Sequence, residues 1–263
     1  MRNVLGTLRT IGTTMRLTYK QNMIDGFVLF TLFVQPFLVA LLALWMLRGK
    51  GEEYAIFVVV GSGMSGLWSS LLFVSGNSIN IERWFGTLET LTGVPTPLQV
   101  VVLGKTLANV LQSVLSMVGT YLLVSLIFGY PLTVAMPGPF FLSVVFIIVA
   151  FIAFGLVISP LFVLNPMIQQ FQNGIEFPVF ILSGFLFPIL MLPGWTRGLS
   201  YALPTYWAAR ALHAAARATE PIESIRHSWL ILSGLAAVFF AFSVWLFRAT
   251  VRKAKINATL DAH

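Results

Sequence analysis

Residues 27–47 read FVLFTLFVQPFLVALLALWML, a run of span length without one charge. An α-helix needs about 20 apolar residues to cross the hydrocarbon core of a bilayer. The solvent of this stretch therefore decides the fold, and the rest of the chain agrees with a bilayer. Of 263 residues, 57% are hydrophobic and 10% charged, where a soluble domain has about 25% charged. Mean hydropathy is +0.88. Further apolar runs occupy 54–78, 106–128, 139–164, 174–192 and 229–247, with Glu176 near the start of the fifth. Prolines and glycines within them are tolerable in membrane helices. The pattern predicts an all-α polytopic membrane protein, six transmembrane helices in one domain over 1–263. The first run is too long, and too far from the N-terminus, for a cleaved signal peptide.

Charge gives an orientation. The net charge of +7 fits basic flanks facing anionic membrane lipids and not nucleic-acid binding. Arg2, Arg9, Arg16 and Lys20 precede the first run; Arg248, Arg252, Lys253 and Lys255 follow the last. An even number of spans puts both ends on one side, which these clusters make cytoplasmic. Arg48, Lys50, Arg197, Arg210, Arg217 and Arg226 would then face outward, so the bias is moderate. Before the first run, Val4, Leu8, Ile11 and Met15 recur at helical spacing, with Arg2, Arg9 and Arg16 on another face. Residues 1–22 therefore read as a basic amphipathic helix lying in the interface, or as a solvated basic tail that only sets topology.

Between the second and third runs stands IERWFGTLETLTGVPTPLQVVVLGK, residues 81–105. From Ile81, the residues Trp84, Leu88 and Leu91 form one apolar stripe, with Glu82, Arg83 and Glu89 off it. Gly93 is placed to stop that helix. Thr96 suits an N-cap, Pro97 a first helical position and Gln99 a capping box. The segment reads as a short amphipathic helix, a break, and the next membrane helix. It serves either as an ordinary interfacial connection or as a charged surface for something in the cytosol.

Residues 82–105 resemble the cytoplasmic segment of ABC-2 type transporter permeases. Glu82, Gly86-Thr87-Leu88-Glu89, Thr96-Pro97-Leu98 and Gly104-Lys105 carry the likeness. FPVFILSGFLFPILMLPGWTRGLSYALPTYWAARAL, residues 177–212, is similar to that family's fifth helix and the external region after it. Ser183-Gly184, Pro188, Pro193, Pro204 and Arg210 carry this second match. The basic helix at 1–22 resembles the family's elbow helix. The aromatic pair Trp84-Phe85 departs from many members, which have charged or small residues there. The resemblance implies a homodimer of six-helix subunits resting on two copies of a separate ABC ATPase subunit, in the inner membrane of a prokaryote. Residues 81–92 would be the coupling helix, with Glu82, Arg83, Phe85, Gly86, Thr87, Leu88 and Glu89 at the ATPase. Glu82, Arg83 and Glu89 would fix register, and Phe85 and Leu88 would fill pockets.

No G-x-x-x-x-G-K-[ST] motif occurs, since Gly49-Lys50 and Gly104-Lys105 lack the upstream Gly and the following Ser or Thr. The chain is thus expected to be a transport subunit and not an enzyme, with no cofactor of its own; ATP and Mg would be bound by the partner. Without cysteine, disulfides and thiolate metal sites are excluded. His213, His227 and His263 are too scattered for a metal site, and the first two are expected at the surface. Glu176, one turn into the fifth run, reads as a group reaching headgroups or water, or as a proton-coupled site. Gly61, Ser65, Gly66 and Ser69 in the second run allow close helix approach. They serve packing within one subunit, or a face toward the dimer axis or the pathway. Pro193 and Pro204 punctuate apolar pieces too short to cross, while Trp195, Tyr201, Tyr206 and Trp207 suit an interface. This predicts short re-entrant helices between the fifth and sixth spans, with Pro188, Pro193, Trp195 and Pro204 at an external gate. The expected function is export of a hydrophobic or amphipathic compound such as a drug, antibiotic or lipid. The alternatives are export of a polysaccharide or lipid-linked glycan and, from another class, a non-transport membrane scaffold or enzyme.

Overall fold

The computed structural model describes residues 2–46, 52–87, 90–91, 96–129 and 133–257. Among them every regular element is helical. Helix α1 spans Arg2–Asn22. Helix α2 spans Gly26–Met46 and contains a π-turn at Phe30–Val34. Helix α3 covers Glu52–Ser69 and continues as a π-helical stretch, Ser70–Ser75. There follow α4 (Ser78–Trp84), α5 (Leu98–Phe128), α6 (Pro137–Leu164), α7 (Pro166–Gln170), α8 (Gln172–Ser183), α9 (Thr196–Ala202), α10 (Pro204–Arg217) and α11 (Ile222–Asn257).

Five stretches are long and apolar enough to cross a bilayer: Gly26–Met46, Ala55–Trp84, Leu98–Phe128, Pro137–Leu164 and Ile222–Thr250. They match the predicted runs, except that the second extends to Trp84 and the third begins at Leu98. The run at 174–192 does not form one helix. Helix α8 stops at Ser183, where Gly184 takes φ +68, and only a short 3-10 turn, Ile189–Met191, follows. Twelve residues of helix reach about 18 Å, short of the ~30 Å hydrocarbon core. The chain therefore returns from one end of the bundle to the other in pieces.

Helix α3 is the hub. In its apolar window 94% of the residues are buried, against 33% in α2 and 28% in α11. Small residues make this possible. A Cβ added at Gly61 would stand 1.8 Å from the Phe185 carbonyl oxygen. Gly61, Ser65, Gly66 and Ser69 are all buried within the chain. Helix α10 inserts among α3, α6 and α11, with an alanine-rich surface buried from Ala208 to Ala216, the composition that lets helices approach closely.

Proline shapes α2. Pro36 has no N–H, so the Leu32 carbonyl loses its helical donor. The Ser116 hydroxyl of α5 donates to that carbonyl instead. In a bilayer an unpaired carbonyl costs several kcal/mol, so this cross-helix bond is what makes the proline affordable.

Helix α1 packs along α5, where a Cβ on Gly104 would meet the Ile11 carbonyl and the Thr14 side chain at 2.9 Å. Of the predicted stripe, Leu8 is exposed while Ile11 and Met15 are half-buried. Thr18 and Asn22 are buried and Thr7, Ile11 and Thr14 half-buried, while Leu5, Leu8 and Leu17 are exposed. The threonine face meets protein because α5 offers it a glycine, and the leucine face is left for lipid. Ile79, Leu98, Val102 and Phe247 cluster at the same end of the bundle as α1, and α9, α10 and the start of α11 lie at the other.

Candidate functional site

Four features occupy successive depths of the bundle. The first is the turn after α4. Gly86 has φ +66, its N–H bonds the Arg83 carbonyl at 3.1 Å, and the Thr87 N–H bonds the Glu82 carbonyl at 2.9 Å. These paired bonds form a Schellman closure, which needs a left-handed residue and takes glycine. The helix expected over 81–92 therefore breaks after Trp84, with Gly86 closing its first piece; Thr90 and Leu91 are helical again, and the Leu91 N–H bonds the Thr87 carbonyl at 3.0 Å. Leu88, Glu89 and Gly93 lie outside the described residues. Trp84 and Phe85 stand 74% and 78% exposed at the tip.

Glu82, expected to point at a partner, turns inward. One carboxylate oxygen pairs with Lys105 Nζ and the other accepts from the Thr87 hydroxyl. Lys105 lies two turns inside α5 because that helix starts at Leu98. The expected capping box is also absent: Pro97 is the N-cap residue, and Gln99 donates to Ser243 Oγ of α11 at 3.1 Å. The turn is thus bound to α5 by charge, and α5 to α11 by an amide.

Behind the turn is a cleft of ≈ 710 Å³ between α1, α2, α4 and α5, walled by Asn22, Asp25, Ser78, Glu82, Lys105 and Asn109 among others. Its floor is hydrogen-bonded. Asn22 Nδ2 donates to Asn109 Oδ1 at 2.8 Å and to Gln112 Oε1 at 2.5 Å, and Asn109 Nδ2 to Ser75 Oγ at 3.0 Å. Asp25 caps α2, accepting from the Phe27 and Val28 amides.

Deeper lies Glu176. Its Oε1 accepts from the Ser69 hydroxyl and from Gln35 Nε2 at 3.2 Å, and the residue is 5% exposed. Ser69 is near the middle of the Ala55–Trp84 stretch, about 20 Å of helix from either end. Glu176 therefore lies beside the middle of that stretch, buried and facing inward. Its position counted along its own apolar run misleads because α8 is a half-length helix that starts inside the bundle. A charge at the bilayer centre costs on the order of 3 kcal/mol on insertion scales.

The last feature closes the far end. Pro188 precedes the 3-10 turn, Trp195 is exposed, and Pro204 opens α10 at its first turn. His213, expected at the surface, is buried. Its ring stacks on Phe57 at 3.9 Å, and Nε2 donates to the Phe185 carbonyl at 3.1 Å. That carbonyl also lies against Gly61. One carbonyl thus ties the break after α8 to both α3 and α10. Ser183 and Thr205 add a hydroxyl pair across the same seam. Arg210 bonds Glu220 at 2.8 Å and lies 5.7 Å over the Trp207 ring; the Glu220 carboxylate holds the guanidinium more firmly protonated than usual. Sequence reasoning missed His213 and the Glu82–Lys105 pair. A histidine inside an alanine-rich amphipathic segment was the available signal for the first.

Helices of membrane length, exposed leucines and phenylalanines, and an apolar core threaded by buried amides, hydroxyls and the Glu176 carboxylate define a multi-pass membrane protein. The sequence matches the family model described as ABC-2 type transporter over residues 2–216. The chain belongs to that family and is the membrane component of a transporter. No curated protein matches it as a relative.

Proposed function

We propose that this chain is the permease subunit of an ATP-driven exporter in a prokaryotic cell membrane. It works as a homodimer with two copies of a separate ABC ATPase, which bind ATP and Mg, and it moves a hydrophobic or amphipathic compound. Both termini and the 81–105 segment are cytoplasmic in this reading. The observation that carries it is the exposed Trp84-Phe85 tip on a locked turn. An ATPase groove that takes these two rings would hold a rigid lever. A push on the lever passes through Glu82–Lys105 into α5 and through Gln99–Ser243 into α11 as a rigid-body shift. Arg83, Gly86, Thr87, Leu88 and Glu89 flank the contact. Pro188, Pro193, Trp195 and Pro204 border the exit on the opposite side.

Buried aromatic anchors at interfaces contribute about 2 kcal/mol or more each, which corresponds to roughly 30-fold in affinity. Trp84→Ala with Phe85→Ala should therefore leave the permease inserted and dimeric but strip off the ATPase during purification, and lose cargo-stimulated ATP hydrolysis. Normal complex yield and normal stimulation in that variant would remove the tip from the coupling surface.

A further inference from the structure

Glu176 is the one acid in the stretches 26–46, 55–81, 98–128, 137–164, 166–192 and 229–247, and Lys105 the one cation. Lys105 is engaged by Glu82. Among the described residues Glu176 forms no ion pair; it receives only the Ser69 hydroxyl and the Gln35 amide, both on Oε1. A buried carboxyl is neutralised by a proton or by a positive partner, and the described residues supply no such partner.

The backbone around it is irregular on every side. Gln35 closes the π-turn of α2 through its N–H to the Phe30 carbonyl. Ser69 caps the start of the π-helical stretch of α3. Pro178 stands inside α8 two residues beyond Glu176, where it lacks the N–H of a helical donor. Single π-turns inside helices cluster at functional positions, and here two converge on one carboxylate. The next residue along α8, Phe177, turns to the outer side, 63% exposed, and meets Phe180 edge-on at 5.9 Å. Such faces attract organic cations. A small hard cation is poorly served, since it takes about six or more oxygen ligands and this node presents a carboxylate, one hydroxyl and one amide.

We infer that Glu176, with Ser69 and Gln35, is the recognition site for the positive charge of a lipophilic cation, an ammonium or phosphonium carrying apolar arms. That this cation is the exported cargo rests on the function proposed above; the binding itself does not. The test is made on the full chain in lipid nanodiscs, without ATP or ATPase, so that its outcome is separate from that of the coupling reading. Tetraphenylphosphonium and tetraphenylborate have matched shape and opposite charge. The wild type should bind the cation in preference to the anion, and Glu176→Gln, which keeps an acceptor for Ser69 and Gln35, should weaken cation binding at least about tenfold and abolish the preference. Unchanged cation preference in Glu176→Gln overturns the assignment. A second measurement needs no variant. An apolar carbodiimide should modify Glu176, read by mass spectrometry, and tetraphenylphosphonium should protect it while sodium and tetraphenylborate do not. A Glu176 that the reagent never reaches, or that the cation does not protect, overturns the assignment equally.

Discussion

His213 is sealed between Phe57 and the Phe185 carbonyl, and burial pushes its pKa down to about 3. An unfolded histidine titrates near 6.5. Between these values the unfolded chain binds a proton that the native one refuses, so the histidine's contribution is complete above about pH 6.5 and is lost as pH falls toward 3. The melting temperature in detergent should therefore drop more steeply from pH 6.5 to 4 in the wild type than in His213→Gln; equal slopes would show that the ring protonates in place. Charge reversal at Glu82 reads differently now that its partner is known. Lys105 and Glu82 side chains are 11% and 18% exposed, and breaking a pair this buried costs on the order of 3 kcal/mol. Glu82→Lys should lower the yield of folded permease, and Glu82→Lys with Lys105→Glu should recover it, as scored by size-exclusion chromatography. The sequence marks both residues as charges in an oily chain. It does not show that they are each other's partner, because their separation fits a pair only once α4 stops at Trp84 and α5 starts at Leu98.

At the scale of elements, the long apolar helices are legible because length and hydropathy are the two properties a bilayer selects. The break after α8 is not, because FPILMLPG is as apolar as a span, and the decision rests on one left-handed glycine. The packed face of α1 is not legible for a related reason: whether threonine or leucine meets protein depends on the neighbouring helix, and Gly104 settles it. The glycine in contact with the break can be tested. Gly61→Ala drives a methyl onto backbone that is itself held by His213, and should destabilise by roughly 3 kcal/mol. Gly119→Ala, where a Cβ meets nothing within 4 Å, should be neutral or slightly stabilising. Thermal unfolding of the two variants side by side gives the comparison, and equal melting temperatures would mean that the α8 break yields without cost.

At the scale of the molecule, α1, the turn after α4 and the cluster around Phe247 share one end, while α9 and α10 lie at the other. Which end faces the cytosol is a matter for labelling. The chain contains no cysteine, so single cysteines at Phe85 and Trp195 report cleanly. An impermeant maleimide added to intact cells should label the Trp195 position and spare the Phe85 position; the reverse pattern would invert the proposed topology and move the ATPase contact to the wrong side.

The bond from Ser116 to the Leu32 carbonyl also sets an order of events during synthesis. The two residues are 84 positions apart, which at about 5–20 residues per second is a delay of roughly 4 to 17 s. Throughout that interval α2 is already made and its proline has already removed a donor, yet the hydroxyl that answers it is still unwritten. Insertion of α2 and its final packing are therefore separate steps, and the nascent chain passes through a stage in which a helix already inserted still lacks one of its bonds. Ser116→Ala should leave the crossing of α2 intact in a glycosylation-mapped insertion assay while lowering the amount of protease-resistant product; an insertion defect of equal size would place the bond's effect earlier, at entry into the membrane itself.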